Sequence, residues 1–304
     1  MVFDSIGEKA GRFLISSSNG APPVYIFVNS LKATEDEITE LMFAAEAKPK
    51  KIEQLCGINL FGCLRIDAPA ALQNPKIKEA MMLGKFLIAD VASQAIATYS
   101  MQSANNPQSM LEVCAGKGNK TLMFQSLANS MYGHQLDITT IENVESKTKI
   151  MRERAKRYGA NIERAIVTDA TSKTAVSREL GKQTFDLIFI DAPCSGLGTL
   201  RRHPELKWRL TQKKIDELAN TGSKILSNIS SHVCDGGILG YATCTVTKSE
   251  NAEVVENFKN SKIGQKFSTS PFFYTQTFTG LNDSHFLSLF QRHSTSTFAL
   301  NKNL

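Results

Sequence analysis

The chain has 304 residues, 42% of them hydrophobic and 21% charged, ordinary values for a soluble globular protein able to bury a sizeable core. No stretch approaches 18 uninterrupted apolar residues, and no basic flank followed by an apolar run opens the chain, so neither a membrane span nor a signal peptide is expected. The net charge of +6 suits a polyanionic partner without requiring one.

The cysteines are Cys56, Cys63, Cys114, Cys194, Cys234 and Cys244. None forms a C-x-x-C pair and no nearby histidine completes a zinc pattern, so no metal site is expected. Scattered cysteines in a chain this long are not a small disulfide scaffold either. A reducing, cytoplasmic setting with free thiols follows as the expectation.

Residues 1–22 are polar and Gly/Ser-containing and read as a loose N-terminal arm. PVYIFVN (23–29) is a short β-rich run. In the following KATEDEITELMFAAEA, Thr34 and Glu37 form a capping box ahead of an amphipathic helix. With FGCLRI (61–66) these make a small α/β subdomain, assigned to 23–84.

From 85 to 304 strands and helices alternate. SMLEVCA (109–115) reads as a buried strand, followed by a Gly-containing turn and the helix NKTLMFQSLAN. LDITTIE (136–142), the charged helix ESKTKIMRERAKRYG, AIVTDA (165–170) and FDLIFID (185–191) come next. A helix over roughly 211–233 leads to GGILGYATC (236–244) and then to the helix SENAEVVENFK. Such alternation predicts a mostly parallel, doubly wound sheet with right-handed crossovers. FFYTQTF (272–278) and HFLSLFQR (285–292) predict a closing antiparallel hairpin at the sheet edge.

Ligands of an open α/β sheet sit at the carboxyl ends of its strands. The first strand ends in EVCAGKGNKT (112–121), where Gly116 and Gly118 let the backbone approach a ligand and the next helix offers free N–H groups. Glu142 ends the second strand, placed to hydrogen-bond ribose hydroxyls, and Asp169 ends the third, placed to accept from an adenine amino group. The full G-x-G-x-x-G of a dehydrogenase is absent. The spacing favours a nucleoside-like ligand without a pyrophosphate, such as S-adenosylmethionine.

At the other end, the fourth strand runs into DAPCSGLGTLRRHPELKWR (191–209) and the next strand ends in YATCTV. Asp191, Cys194 and Cys244 therefore converge at one sheet edge. Carbon 5 of cytosine is a poor nucleophile until a thiolate adds at carbon 6, a reaction these groups suit. A thiol of ordinary pKa is only about 3% thiolate at pH 7, so a cationic neighbour is needed, and Lys120 is a candidate. Asp191 can hydrogen-bond the N3 and amino edge of the pyrimidine. Spacing alone leaves Cys194 and Cys244 equal candidates for the attacking thiol.

These strings resemble the Sun/Fmu-type (RsmB-like) RNA cytosine-5 methyltransferases over about residues 23–292. DAPCSG with RRHPELKWR, YATCTV with SENAEVVENF, FVNSLKATEDEI and GKFLIADVASQ carry the resemblance. It implies a Rossmann-like class I methyltransferase fold preceded by a small α/β RNA-binding subdomain, with S-adenosylmethionine as cofactor. It implies Cys244 as nucleophile, Cys194 as the cysteine that helps break the adduct, Asp191 as the base-contacting carboxylate, and Glu142 and Asp169 as cofactor ligands. The cofactor set on this reading is Cys114, Ala115, Gly116, Lys117, Gly118, Asn119, Lys120, Glu142, Asp169 and Asp191. Two departures stand out. CAGKGNKT replaces the family's usual CAAPGGKT, and Asp283-Ser284-His285-Phe286 stands where D-G-F-F is common.

Arg201, Arg202, Lys207 and Arg209, interleaved with His203 and Trp208, are candidates to bind phosphates and stack a base, against the plainer reading of a solvated face. The basic helix 147–157 reads as the solvent side of a crossover. Ribosomal RNA, 16S in particular, is the expected substrate and transfer RNA the alternative, for a protein acting as a monomer. A catalytically weak RNA-binding or ribosome-assembly factor and a DNA cytosine methyltransferase using Cys194 are the rival readings.

Overall fold

The computed structural model describes residues 2–275 and 280–294. The segment expected as a loose arm is instead largely helical, with α1 (Val2–Ile6) and α2 (Glu8–Ser17). Gly7 ahead of α2 supplies no side-chain cap. What orders these helices is tertiary: Val2, Ile6 and Leu14 pack on a cluster of Leu197, Leu200, Ile215 and Val246. Local periodicity does not display such distant partners.

There follow β1 (Val24–Val28), α3 (Glu35–Ala44), β2 (Pro49–Lys51), a short pair β3 (Gln54–Leu55) and β4 (Ile58–Asn59), β5 (Cys63–Ile66), α4 (Pro75–Met82) and β6 (Phe86–Ile88). The expected capping box is present: Thr34 accepts from Glu37 N–H and Glu37 from Thr34 N–H. A four-stranded antiparallel sheet runs β2-β5-β1-β6. Its last strand lies past residue 84, because Phe86–Ile88 pair with Ile26–Val28. Phe27 and Leu87 also enter the core of the following sheet, so the two layers share apolar contacts.

α5 (Val91–Ala104) connects the sheets, capped by Asp90, which accepts from Ala92 N–H. Then come β7 (Ser109–Val113), α6 (Asn119–Tyr132), β8 (Asp137–Glu142), α7 (Glu145–Tyr158), β9 (Arg164–Val167), α8 (Lys173–Leu180), β10 (Phe185–Asp191), α9 (Leu206–Arg209), α10 (Gln212–Ile229), β11 (Val233–Thr243), α11 (Ala252–Lys259), β12 (Phe267–Thr269), β13 (Phe273–Tyr274) and β14 (Phe286–Arg292).

The order is β12-β14-β11-β10-β7-β8-β9, parallel from β11 to β9, with β14 antiparallel between β12 and β11. This is the doubly wound sheet the alternation predicts, with antiparallel strands at its C-terminal edge. β13 pairs with β14 as the hairpin requires. Residues 276–278 of the expected strand, and the part of the 85–304 segment beyond 294, lie outside the described residues. The winding direction reverses between β7 and β10, where the crevice at the strand ends opens.

Alternation along β10 explains its apolar run. Leu187 and Phe189 join a core with Ile96 of α5 and Phe124 of α6. Ile188 and Ile190 join the opposite core with Ile225 and Leu226 of α10 and Val255 of α11. A strand buried on both faces leaves its two ends for polar tasks: Asp186 accepts from Gln108 and Ser109 N–H at one, and Asp191 stands at the other.

Candidate active site

The end of β7 is bent by Cys114, whose φ of 62° is unusual for a residue with a side chain. The chain then passes Gly116 and Gly118, both at positive φ, into α6. At Gly118 an added Cβ would come within 2.6 Å of Met151 Cγ, so only glycine lets the loop settle onto α7. At Gly116 nothing but Cys114 O at 4.0 Å would meet it, and the floor of a cleft of about 230 Å³ stays open there.

Cys114, Gly116, Glu142, Asp169 and Asp191 line that cleft. Glu142 is buried; its Oε2 accepts from Gly116 N–H at 2.8 Å and its Oε1 from Val144 N–H at 3.0 Å. It thus ties the glycine loop to β8. Asp169 accepts from Thr171 N–H and hydroxyl with Oδ1 alone, leaving Oδ2 without a protein partner among the described residues. A braced acid, an open glycine floor and a half-engaged second acid fit a hydroxylated, amino-bearing nucleoside.

The other loop residues stand apart from the cleft. Ala115 is buried and Gly118 packs on Met151. The Lys117 side chain is exposed, and Asn119 turns to the helix behind it. Arg154 Nη1 donates to Lys117 O at 2.8 Å and to Asn119 Oδ1 at 2.6 Å. Lys117 and Asn119, expected among the cofactor ligands, are not among the residues that line the cleft, and Arg154 ties both to α7. No local pattern marks Arg154, since its partners lie 35 and 37 residues away.

Lys120, at the start of α6, reaches across to Asp191, Nζ to Oδ2 at 2.7 Å. Burial opposes its charge, but Asp191 beside it more than offsets that and holds the ammonium above its ordinary pKa. Its field also falls on Cys244, yet its direct partner is the carboxylate. Beneath, Glu112 accepts from the Thr121 hydroxyl, and burial pushes its pKa up to about 8.

Cys194 and Cys244 meet with 3.3 Å between sulfurs, and Cys244 N–H donates to Cys194 Sγ at 3.3 Å. The hydrogen bond to Cys244, and after it burial, push the Cys194 thiol well up. Thr243, Thr245 and Thr247, at alternate positions ahead of Glu250 and Asn251, form a buried polar web under these thiols that the sequence reading did not single out.

The basic run divides. Arg201 donates to Ser17 O at 2.8 Å and to Gly280 O. Arg202 joins Asp283 Oδ2 and Asp90 Oδ2, each at 2.8 Å, and Pro23 O at 3.1 Å. Both tie distant segments of the chain together, and both are only part-buried. His203 lies 3.5 Å from Glu205 with both exposed, and Lys207 reaches Asn19 at 2.8 Å. Arg209 is exposed and Trp208 is 88% exposed. No helix among the described residues is long and apolar enough to cross a membrane.

Comparison with known proteins agrees with this geometry. A family model described as 16S rRNA methyltransferase RsmB/F matches residues 99–301. The chain is 29% identical over 246 residues to ribosomal RNA small subunit methyltransferase B of Enterobacter sp. (strain 638), covering 81% of this chain and 53% of the relative. It is 28% identical over 265 residues to the protein of the same name from Pasteurella multocida, covering 86% and 55%. The chain thus spans about half the length of the curated relatives it matches. Among solved structures, PH0851 superposes with a TM-score of 0.82 at 24% identity, covering 96% of this chain and 64% of that one. NSun6 from Pyrococcus horikoshii with SFG superposes at 0.74 with 16% identity, covering 96% of each. At these identities the two structures establish the fold.

Proposed function

The chain belongs to the 16S rRNA methyltransferase RsmB/F family, and from that premise we propose that it methylates carbon 5 of a cytosine in 16S ribosomal RNA with S-adenosylmethionine. The observation that carries the reading is the pair of sulfurs at 3.3 Å beside the Lys120–Asp191 pair.

S-adenosylmethionine supplies an electrophilic methyl group; Glu142, Gly116 and Asp169 are the residues that would hold it. The Cys194 S–H donates to Cys244 and stabilises it as a thiolate. Cys244 Sγ forms a bond to carbon 6, and the π pair of the 5,6 double bond moves to carbon 5. Asp191, oriented by Lys120, holds the N3 and amino edge while that density builds. Once Cys244 is a thioether, Cys194 loses its acceptor and releases its proton to solvent. After carbon 5 is methylated, Cys194 takes the proton from carbon 5. That C–H pair reforms the double bond as the carbon–sulfur bond breaks, returning a thiolate at Cys244 and a thiol at Cys194. One proton leaves per turnover, the count that replacing hydrogen by a methyl cation requires. The cytosine must be unstacked to reach Cys244, at a cost of a few kcal/mol unless it lies in a loop. Trp208 and Arg209 give its flanking nucleotides an exposed stacking and phosphate surface.

The decisive experiment replaces each thiol. Cys194→Ala is expected to accumulate a covalent protein–RNA adduct, and Cys244→Ala to form none; the reverse assigns the attack to Cys194. Absence of S-adenosylmethionine binding by calorimetry sinks the enzyme reading. Bisulfite sequencing of RNA from a strain lacking the gene locates the cytosine, and a site lost from another RNA overturns the 16S assignment.

A further inference from the structure

Next to the two thiol-bearing loops lies a buried polar network. Ser195, Thr243, Thr245, Thr247, Glu250 and Asn251 are each at most 3% exposed. Glu250 Oε1 accepts from Ser195 N–H at 2.6 Å. Its Oε2 is 2.6 Å from the Ser195 hydroxyl, 2.5 Å from that of Thr247 and 3.3 Å from that of Thr245. Ser195 Oγ and Thr245 Oγ1 are 2.7 Å apart, and one hydroxyl proton cannot serve two acceptors. The shorter contacts fix the direction: Thr245 donates to Ser195, which donates to Glu250. Asn251 straddles the thiol-bearing residue, accepting from the Thr243 hydroxyl at 2.6 Å and donating to Thr245 O at 3.0 Å.

Ser195 follows Cys194, while Thr243 and Thr245 flank Cys244. One buried carboxylate therefore joins the two loops at the residues next to their sulfurs. A buried carboxyl group needs hydrogen-bond partners, and Glu250 finds them on both loops at once. Each loop on its own leaves it partly unsatisfied.

We propose that Glu250, seconded by Asn251, is the positioning residue that sets the distance between Cys194 and Cys244, and through it the balance between forming and releasing the RNA adduct. The kinetic half of this statement rests on the two-thiol reading above; the geometric half does not. A shift of one loop by about 1 Å breaks the sulfur–sulfur hydrogen bond, a displacement of the size that costs enzymes about 100-fold in rate.

The test uses the full chain without RNA or cofactor. Oxidised dithiothreitol closes Cys194 and Cys244 into a disulfide at a rate that reports their spacing, with the linkage mapped by peptide mass. Glu250→Gln keeps the shape but sets amide donors against the donors of Ser195 and Thr247. It is expected to slow closure about tenfold or more while iodoacetamide still alkylates Cys244 within about threefold of the normal rate. Thr245→Val, which removes one hydroxyl from the network, is expected to slow closure about threefold and covers the case in which Glu250→Gln gives no melting transition. Closure at the unaltered rate in whichever of these variants folds overturns the proposal. If the unaltered protein forms no RNA adduct, the functional reading fails and the closure comparison stands. If it methylates RNA while Glu250→Gln closes normally, the positioning role alone fails.

Discussion

Lys120 and Asp191 are joined at 2.7 Å across the gap between the start of α6, where the glycine loop ends, and the tip of β10, where the first thiol loop begins. One ion pair therefore fixes the cofactor end of the site relative to the chemical end. With the Lys120 side chain only 12% exposed, its removal leaves Asp191 without its cation. Lys120→Met is expected to lower single-turnover methyl transfer by about 100- to 1,000-fold, the loss that follows from removing one aimed donor, with RNA affinity little changed. An equal loss in RNA affinity, measured by filter binding, would assign Lys120 to RNA contact instead.

Arg154 bridges Lys117 O and Asn119 Oδ1 from the far side of the glycine loop. Hydrogen bonds from a charged donor contribute about 1.5–3 kcal/mol, and less at a partly exposed site. Arg154→Ala is expected to weaken S-adenosylmethionine binding about tenfold by calorimetry, with the RNA-binding isotherm unmoved. Unchanged cofactor affinity would show that the loop holds its shape unaided.

Trp208 is 88% exposed and buries almost nothing within the protein. Trp208→Ala is expected to leave thermal stability within about 0.5 kcal/mol, as surface changes do. RNA binding is expected to fall by about 1–3 kcal/mol, the size of one base–aromatic stack. A lowered melting temperature with intact RNA affinity would place the ring in packing.

Arg202 neutralises two carboxylates at once, Asp90 at 6% and Asp283 at 8% side-chain exposure. Arg202→Ala leaves both buried and unpaired and is expected to destabilise the fold by about 3 kcal/mol in urea melts. A loss confined to RNA affinity would return this residue to the RNA face.

Acid stability turns on two neighbours of opposite sign. Burial, then the charges of Lys120 and Arg202, pull His285 from its ordinary 6.5 down to about 3. Between those values the unfolded chain binds the extra proton, so this group's stability is full above pH 6.5 and is lost as the pH falls toward 3. Burial, then Asp90, raise Asp283 from 3.8 to about 6, and there the folded chain binds the extra proton. Its contribution is full below 3.8 and falls as the pH rises through 6. Between about pH 6 and 3.8 the two oppose each other, so their combined decline on acidification falls just below pH 6.5 and again below 3.8. His285→Phe is expected to flatten that decline and Asp283→Asn to steepen it, read from urea midpoints across this range. A His285→Phe profile parallel to the unaltered one would remove the histidine from the account.

Much of this was legible in the residues. The strands ending in Glu142, Asp191 and Thr243 could be read because burial on both faces favours β-branched and apolar runs. The strand tips then carried Cys194 and Cys244 to one edge. What was illegible depends on distant partners. Nothing near Arg201 or Arg202 announces Ser17, Asp90 or Asp283, so the intramolecular partners of these two arginines could not be read from the run that holds them. α1 has no buried residue of its own, and with α2 it docks on residues around 200 and 246. Glu250 and Asn251 sit inside a string already notable for Cys244, and their role depends on Ser195, which lies 55 residues from Glu250.

The position of β14 has a consequence for biosynthesis. This strand is made after all the others described, yet it lies inside the sheet, between β12 and β11. Ser284 N–H just ahead of it donates to Gly198 O, and Gly198 N–H donates to Cys244 O. A Cβ on Gly198 would overlap Ser284 O, so the three segments close only as a set. A nascent chain still lacking residues 284–292 therefore has both thiols but no finished wall around them. Completion of this sheet therefore waits for the last of the described strands to be synthesised, which a sheet with its final strand at an edge would not require.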